Sequence, residues 1–508
     1  MFVDDWLDSY EWIWENVGGV LGVGVTDIKL LAVLIGQIFV SLPLPYIKII
    51  KLRYIYSLVF GIFSIFFIYR HDIWPLLIIQ IIMHRYILWH KEKSSKFCMI
   101  GMFILLSFYH LWRMYEAYGL YIQDFTLVLM NQTTKVTYIA WAVHDFYKNQ
   151  KDASKLPPEL KGRVIRHLPD MLEYLSYNFT FIGFSGPFIE YRDFQDFMLM
   201  ERNYANVRIS LRQFLRNFRD LVLYQVIFLG LVPYFPFQAM SGPLWAKYSF
   251  SWKCVWILVA GWVLRARYYI AFSYGQVAAD LSGISYDSEQ DNNELYRNFE
   301  VWGIEWDQRL KIRVLKWNQS VQHWLNHVCY IRYKPVFGTS NAALAVFSLS
   351  AFWHGFYPAW YVLFSCAYCL LQIQTTGYKC REALSKLPTW PLPKALVDVS
   401  NKLDQLLPCP EKSSWPKRFD PWMIFTQTYY MVTFNFCGLL AQNAHHTLTI
   451  ASLRNLYWLP FWAFGVYFVI KPVCLQIAGF YGVKENVLLA LKPRAREPVK
   501  ADAAKQMK

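Results

Sequence analysis

His354 is the residue of this sequence best suited to proton transfer. Between Lys334 and Lys379 no residue carries a full formal charge, and His354 lies near the middle of that stretch. Apolar surroundings favour the neutral imidazole, which can accept a proton. Gly355 and Pro358 follow closely and interrupt helices, which a membrane tolerates where the backbone is buried or lines a cavity. We therefore expect His354 to face a chamber as a general base; the alternative is a histidine that only bonds a neighbouring helix.

Asn318 is a second candidate for the same chemistry. It lies in Glu300–Lys334, a stretch that is too polar to span lipid unaided and that we predict to be re-entrant or interfacial. Its amide can donate a hydrogen bond to an oxyanion or hold an acceptor hydroxyl. Four basic residues are candidates for a basic mouth that attracts an anionic substrate, and they fit interfacial topology charges at least as well; they are Arg313, Lys316, Arg332 and Lys334.

These residues require a scaffold of helices. Of the 508 residues, 55% are hydrophobic and only 17% are charged, which is too apolar for an ordinary soluble protein. Apolar runs recur along the chain near the ~20 residues that a spanning helix needs. We predict an all-α polytopic membrane protein of about ten or eleven transmembrane helices, with re-entrant or interfacial helices, around a central chamber. The candidate runs are Leu30–Pro45, Tyr54–Tyr69, Ile73–Trp89, Phe97–Trp112, Thr126–Phe146, Leu172–Phe188, Leu221–Phe237, Val255–Tyr274, Ala342–Ile373, Pro421–Gln442 and Leu453–Phe480.

The two ends of the chain are expected to differ from this single membrane domain, residues 1–508. Residues 1–18 are acidic and aromatic, which predicts an interfacial helix. Residues 488–508 are basic and poor in apolar side chains, which predicts a disordered cytoplasmic tail. The formal charge of +15 sits in short clusters between apolar runs, a pattern of cytoplasmic loops and not of a nucleic-acid-binding face.

Three other motifs are weak. His323 and His327 have the spacing of zinc ligands, but Trp324 stands where the motif needs glutamate. Cys366 and Cys369 lack a second pair with metal-ligand spacing, so we expect no metal site. The Gly-Phe-Ser-Gly run at 183–186 brings its second glycine one residue early for a nucleophile elbow.

Several motifs along the chain together resemble those of one protein family. Trp317-Asn318 is followed thirty-six positions later by Trp353-His354-Gly-x-x-Pro, in that order and in an apolar setting. This pairing resembles the membrane-bound O-acyltransferase (MBOAT) family, whose paired Asn and His have the same order. Further segments resemble its glycerophospholipid-acylating branch; they are FIGFSGPFIEYRDFQDF at 181–197, RARYY at 265–269, DLSGISY at 280–286, NFEVWGIE at 298–305, and Trp317-Asn318 with Ser320, Trp324 and Leu325.

The resemblance covers roughly Gly183 to Tyr361, and it departs from the family at two places. Ala359 and Trp360 stand where Gly-Tyr is common after the proline, and Ser320 stands where Thr is common. Neither departure removes a proposed catalytic group. The first one could alter the shape of the tunnel.

The resemblance implies an acyl-CoA:lysophospholipid acyltransferase of the endoplasmic reticulum membrane. His354 would take the proton of the lysolipid hydroxyl, and Asn318 would orient the acceptor or stabilise the oxyanion. The partners implied are acyl-CoA as co-substrate, a lysophospholipid and membrane lipids, with no cofactor. A homodimer, an MBOAT enzyme acylating a protein or neutral lipid, and a transporter stay open alternatives. Candidates for substrate binding are Trp317, Ser320, Trp353, Arg313, Lys316, Arg267 and Tyr268.

Overall fold

The computed structural model describes residues 2–21, 24–119, 124–152, 154, 156–236, 239–240, 243–384, 421–442 and 446–480. The predicted cytoplasmic tail, residues 488–508, lies outside them. The described residues form helices and turns, with no β-strand among them, as the sequence predicts.

The α-helices are numbered in chain order. They are α1 Phe2–Leu21, α2 Val25–Ser41, α3 Ile50–Tyr69, α4 Ile73–His90, α5 Ser94–Glu116, α6 Thr126–Asp152, α7 Pro158–Lys161, α8 Met171–Phe179, α9 Tyr191–Leu199, α10 Leu211–Leu231, α11 Pro243–Lys247, α12 Phe250–Ser282, α13 Val301–Glu305, α14 Leu310–Lys316, α15 Gln319–Leu325, α16 Ile331–His354, α17 Pro358–Leu384, α18 Pro421–Gln442, α19 His446–Asn455 and α20 Leu459–Phe480. Short 3-10 helices cover Leu44–Tyr46, Arg70–Asp72, Lys91–Lys93, Arg202–Tyr204 and Val232–Tyr234, and a π-helix covers Asn326–Tyr330.

Several helices are long and apolar enough to cross a membrane. By length and composition, five candidate stretches occur within the described ranges, and one of them, Ile50–Glu116, runs over α3, α4 and α5. The other four are Val25–Tyr46, Phe250–Ser282, Gln319–His354 and Leu459–Ile477. The chain is therefore a membrane protein whose described secondary structure is helical, while the count of ten or eleven spans stays a prediction.

One predicted span is wrong. The run Leu172–Phe188 does not form a single helix, because α8 ends at Phe179 and α9 begins only at Tyr191. Between them the backbone takes positive φ at Gly183 (79°) and Gly186 (89°), values that glycine adopts without a Cβ penalty. The residues of this segment are almost all buried, so the non-helical backbone is enclosed by protein, as the lipid environment demands.

Backbone contacts divide the chain into two compact units. The first comprises Met1–Asp307, Lys311–Ser365 and Phe434–Tyr457, and the second comprises Gln308–Leu310, Cys366–Thr433 and Trp458–Lys508. In the second unit, the Gln374 side chain accepts from the backbone N–H of Leu310 at 2.8 Å and donates to the Thr426 hydroxyl at 2.9 Å. The single domain over residues 1–508 stays a prediction.

Helix α6 forms the centre of the first unit. Most of its residues between Thr126 and Val143 are buried, including a polar row. The hydroxyls of Thr133 and Thr137 each donate to a backbone carbonyl one turn earlier at 2.7 Å, so these polar groups are satisfied within the helix. A helix buried on nearly all sides can carry contacts to several neighbours at once.

The predicted interfacial helix corresponds to α1, which runs three residues beyond residue 18. Glu11 pairs with Lys29 of α2 and with Arg70 after α3, the latter at 2.9 Å. Trp14 contacts Phe67 of α3 edge to face at 5.4 Å. The second half of α1 is thus attached to the first two apolar helices, and its interfacial position stays a prediction.

Substitution of Gly61 would test how closely α3 approaches the end of α8. A Cβ built on Gly61 would lie 1.3 Å from the carbonyl oxygen of Phe179, so Gly61→Ala must push two backbones apart. We expect a loss of about 1–3 kcal/mol or more in the free energy of unfolding, measured as a lower thermal midpoint in nanodiscs. Gly101→Ala is the matched control, because its nearest neighbour is the end of Met83 at 3.4 Å. Equal midpoints for the two variants would contradict this close approach.

Candidate active site

His354 is the last residue of α16. Gly355 follows with φ of 109° and α17 begins at Pro358, so the helix break that the sequence predicts is confirmed. The carbonyl of Trp353, left free by this break, lies 3.2 Å from Nε2 of His110. Because a carbonyl only accepts, Nε2 of His110 carries the hydrogen. His110 thereby covers the end of the helix next to His354.

Aromatic rings enclose the His354 imidazole. Trp360 stacks on it with ring centroids 4.3 Å apart, Phe364 stacks at 5.3 Å, and Trp353 meets it edge to face at 5.0 Å. The side chain is half-buried, and neither ring nitrogen hydrogen-bonds to a residue in the part of the chain that the structure describes. The rings therefore hold the imidazole while leaving its nitrogens available to a substrate proton.

Asn318 precedes α15 in an unusual backbone conformation. Its φ of 45° and ψ of 59° are left-handed, a region in which asparagine is several-fold enriched. The amide oxygen lies 3.4 Å from the hydroxyl of Ser320. Within the described ranges the amide nitrogen donates to no other residue, so this donor is free to meet a ligand.

Ser320 and Asn298 hold this turn in place. The side-chain oxygen of Asn298 accepts from the Ser320 hydroxyl at 2.7 Å and from the Ser320 N–H at 3.1 Å. Asn298 in turn packs on Gly186, where a Cβ would lie 2.7 Å from the Asn298 amide nitrogen. Residues 181–197, the Gly-Pro segment, therefore pack at Gly186 against the turn that carries Asn318.

The chain doubles back between Asn318 and His354. Trp324 and Trp353 are twenty-nine residues apart, which is about 43 Å in a straight helix. Their ring centroids are nevertheless 5.9 Å apart. Gly338, with φ of 79° and ψ of 169°, breaks the helical path between them. Trp324 donates to the Thr137 hydroxyl at 2.8 Å and Trp353 to the carbonyl of Met130 at 3.1 Å, so α6 positions both segments.

Comparison with known proteins assigns the chain to a family. The model of the MBOAT, membrane-bound O-acyltransferase family, matches residues 86–397, which include Asn318, His354 and the Gly-Pro segment. The chain belongs to this family. In this MBOAT protein Asn318 lies at a turn and His354 at a helix break, and both segments are held by hydrogen bonds to α6.

The MBOAT chain is also similar to named relatives over about half its length. It is 28% identical to Lysophospholipid acyltransferase 6 of Drosophila melanogaster over 53% of this chain and 39% of that protein. It is 27% identical to Membrane-bound glycerophospholipid O-acyltransferase 2 of Gallus gallus, over 54% of this chain and 56% of that protein. With Lysophospholipid acyltransferase of Saccharomyces cerevisiae it shares 26% identity, over 48% and 44%. The match spans about half the length of these curated relatives.

The aromatic residues predicted to bind substrate lie beside the Asn318 turn. Trp317 contacts Tyr268 at 5.6 Å and Phe272 at 5.7 Å between ring centroids, both on α12. Tyr269 stacks on Phe299 at 5.2 Å in the same group. The structure therefore brings Trp317 and Tyr268 together with Asn318, and their role in binding stays a prediction.

The three basic residues predicted to bind substrate are placed differently from one another. Arg313 is buried, and its guanidinium donates to the backbone carbonyls of residues 304, 305 and 307, which closes the short helices before Asn318. Lys316 pairs with Glu300 and is half-exposed. Arg267 lies 4.0 Å from Asp27 and is also half-exposed. Of the three, Arg313 has the side chain least able to reach a ligand.

A buried ionic cluster, which no sequence pattern connected, surrounds His327, two residues after the end of α15. His327 is enclosed between Asp145, 3.6 Å from Nε2, and Glu190, 3.5 Å from Nδ1. Arg332 binds both oxygens of Asp145 at 2.9 and 2.8 Å, and Arg163 pairs with Glu190. The sequence singled out His327 only for its spacing from His323, and Arg332, bound to Asp145, is not available for the basic mouth predicted for it. The cluster joins α6, the Gly-Pro segment and the π-helix after α15.

Asp193, next to this cluster, should make stability depend on pH. Burial and the neighbouring Glu190 carboxylate raise the pKa of Asp193 from 3.8 to about 6. The folded state thus holds this proton more tightly than the unfolded state, so its contribution to stability is complete below about pH 4 and is lost as pH rises through about 6. We expect the thermal midpoint of the wild type, relative to Asp193→Asn, to fall over that window. A difference that is constant from pH 4 to 7 would contradict this, because a group whose pKa is higher in the folded state makes stability fall as pH rises through that pKa.

Proposed function

We propose that this MBOAT protein is an acyl-CoA-dependent lysophospholipid acyltransferase of the endoplasmic reticulum membrane. The observation that carries the proposal is His354, half-buried at a helix break, held by aromatic rings and with both nitrogens unbonded among the described residues. The names of the relatives, lysophospholipid and glycerophospholipid acyltransferases, support the acceptor class. An acyl-CoA donor fits a direct transfer, for which no covalent acyl-enzyme is needed.

The reaction requires one base and one oxyanion donor. His354 takes the proton of the lysolipid hydroxyl as its oxygen attacks the thioester carbonyl, and the amide nitrogen of Asn318 donates to the developing oxyanion. The tetrahedral intermediate collapses to the new ester, the bond to sulfur breaks, and the imidazolium returns the proton to the coenzyme A thiolate. One ester and one thiol are formed, so protons and bonds balance.

Geometry supports this division of roles. Asn318 and His354 do not hydrogen-bond each other in the described part of the chain, although Trp324 and Trp353 bring their segments to a ring contact of 5.9 Å. A base and an oxyanion donor must act on two different atoms of the reacting pair, the attacking oxygen and the carbonyl oxygen. A space between their side chains is therefore a requirement of the mechanism.

Substitution of the two residues tests the mechanism. With labelled oleoyl-CoA and a panel of lysophospholipids, His354→Ala should lower the rate of transfer by about 10²–10⁴-fold. Asn318→Ala should lower it by about 10²–10³-fold. The exposed His323→Ala is the matched control and should retain the wild-type rate. Wild-type transfer by a well-expressed His354→Ala would rule out the base, and movement of a small solute across vesicles without acylation would favour a transporter.

Gly355 provides a test of the helix break itself. A Cβ on Gly355 would lie 2.9 Å from Nδ1 of His110, and its φ of 109° disfavours any side chain. Gly355→Ala should therefore displace the end of α16 and lower kcat at least tenfold. Gly338→Ala is the control, since its φ is also positive but its Cβ would meet open space. Equal kcat values for these two variants would show that the contact with His110 has no part in positioning His354.

A further inference from the structure

An apolar groove lies between α2 and α3, separate from the site around His354. It has a volume of about 220 Å³. A cavity of about 150 Å³ already suffices for a benzene-sized hydrocarbon. The groove is lined by Ala32, Val33, Gly36, Gln37, Val40, Phe60, Phe63, Ser64, Phe67 and Phe181, none of which is charged. Both helices are candidate membrane spans, and the family match begins only at residue 86.

Gln37 is the polar group of this groove that calls for a ligand. Its side chain is only 4% exposed, and neither its amide nitrogen nor its amide oxygen has a hydrogen-bond partner among the described residues. A buried amide without partners costs about 1–3 kcal/mol. The other polar lining residue, Ser64, is satisfied, since its hydroxyl donates to the carbonyl of Phe60 at 2.8 Å.

The charges that lie beyond the two ends of the groove differ. At one end the Tyr56 hydroxyl of α3 donates to the backbone carbonyl of Val40 on α2 at 2.8 Å. The exposed Lys48 and Lys51 lie further along the chain, before α3 and in its first turn. Neither lysine pairs with a carboxylate in the described ranges. At the far end the lining is Val33 and Phe67. Beyond that end, Lys29 lies 6.0 Å from the Phe67 ring but is paired with Glu11, so the cations without a carboxylate partner among the described residues lie on the Val40 side.

We propose that this groove binds a lysophospholipid, at a site distinct from the one where it is acylated. The acyl chain lies along Val33 and Phe67, and the phosphate is near Lys48 and Lys51. The free hydroxyl donates to Oε1 of Gln37, and the ester carbonyl accepts from Nε2. A diacyl phosphatidylcholine has no hydroxyl to donate and leaves Oε1 unpaired. The identity of the lipid as a substrate rests on the function proposed above; the groove and its unpaired amide do not.

Photolabelling in nanodiscs tests the groove. The probe is a lysophosphatidylcholine with a diazirine in its acyl chain, given to the His354→Ala protein so that it is not consumed. We expect labelling of peptides within 25–41 and 50–69, reduced at least fivefold by Gln37→Leu and by Gly36→Phe, which fills open space. Phe39→Leu is the matched control, because Phe39 lies on α2, is 65% exposed and does not line the groove.

Competition decides between the lysolipid and other occupants. Unlabelled lysophosphatidylcholine should abolish the labelling, and diacyl phosphatidylcholine at the same concentration should not. Equal competition by the diacyl lipid, or unchanged labelling of Gln37→Leu at an unchanged thermal midpoint, would overturn the proposal. If the wild type acylates no lysolipid while the labelling pattern holds, the proposed function fails and the binding site stands.

Discussion

A helix that ends in an apolar environment leaves backbone carbonyls that no water can reach, and the candidate site depends on how this requirement is met. The carbonyl of Trp353 receives a hydrogen from His110, and Gly355, free of a Cβ, lets the His110 ring lie against the backbone. The break is thereby enclosed by protein. With its backbone satisfied, the end of α16 can present His354 without a hydrogen bond of its own.

Residue type predicted the parts of the site but not their assembly. Gly355 and Pro358 are enough to expect the break at His354, because both act on the local backbone. The return of the chain that brings Trp324 onto Trp353 depends on contacts with α6, nearly two hundred residues earlier, which no local pattern contains. The span expected over Leu172–Phe188 failed because hydrophobicity alone cannot separate a lipid-facing helix from a buried irregular segment.

Charge was harder to interpret than hydrophobicity. Arg313 follows the pattern of an interfacial cation, yet its guanidinium is used to bind three carbonyls of short helices. The pair of Asp145 and Arg332 is 187 residues apart in sequence and becomes visible only in the fold. Removing one member of such a buried pair leaves the other uncompensated, so these charges are expected to be costly to replace singly. Because they link α6, the Gly-Pro segment and the π-helix, these charges are suited to hold the three elements rigidly together.

Met130 and Thr137, the partners of the two tryptophans, are seven residues apart on α6. Along one helix this is about 10 Å, a length maintained by hydrogen bonds that do not depend on side chains or on lipid. The distance between the two segments of the site, measured at these contacts, is therefore set by the rise of a single helix. Changes in bilayer thickness that tilt the outer helices would leave this distance unaltered, so the candidate site would keep its dimensions in membranes of different composition.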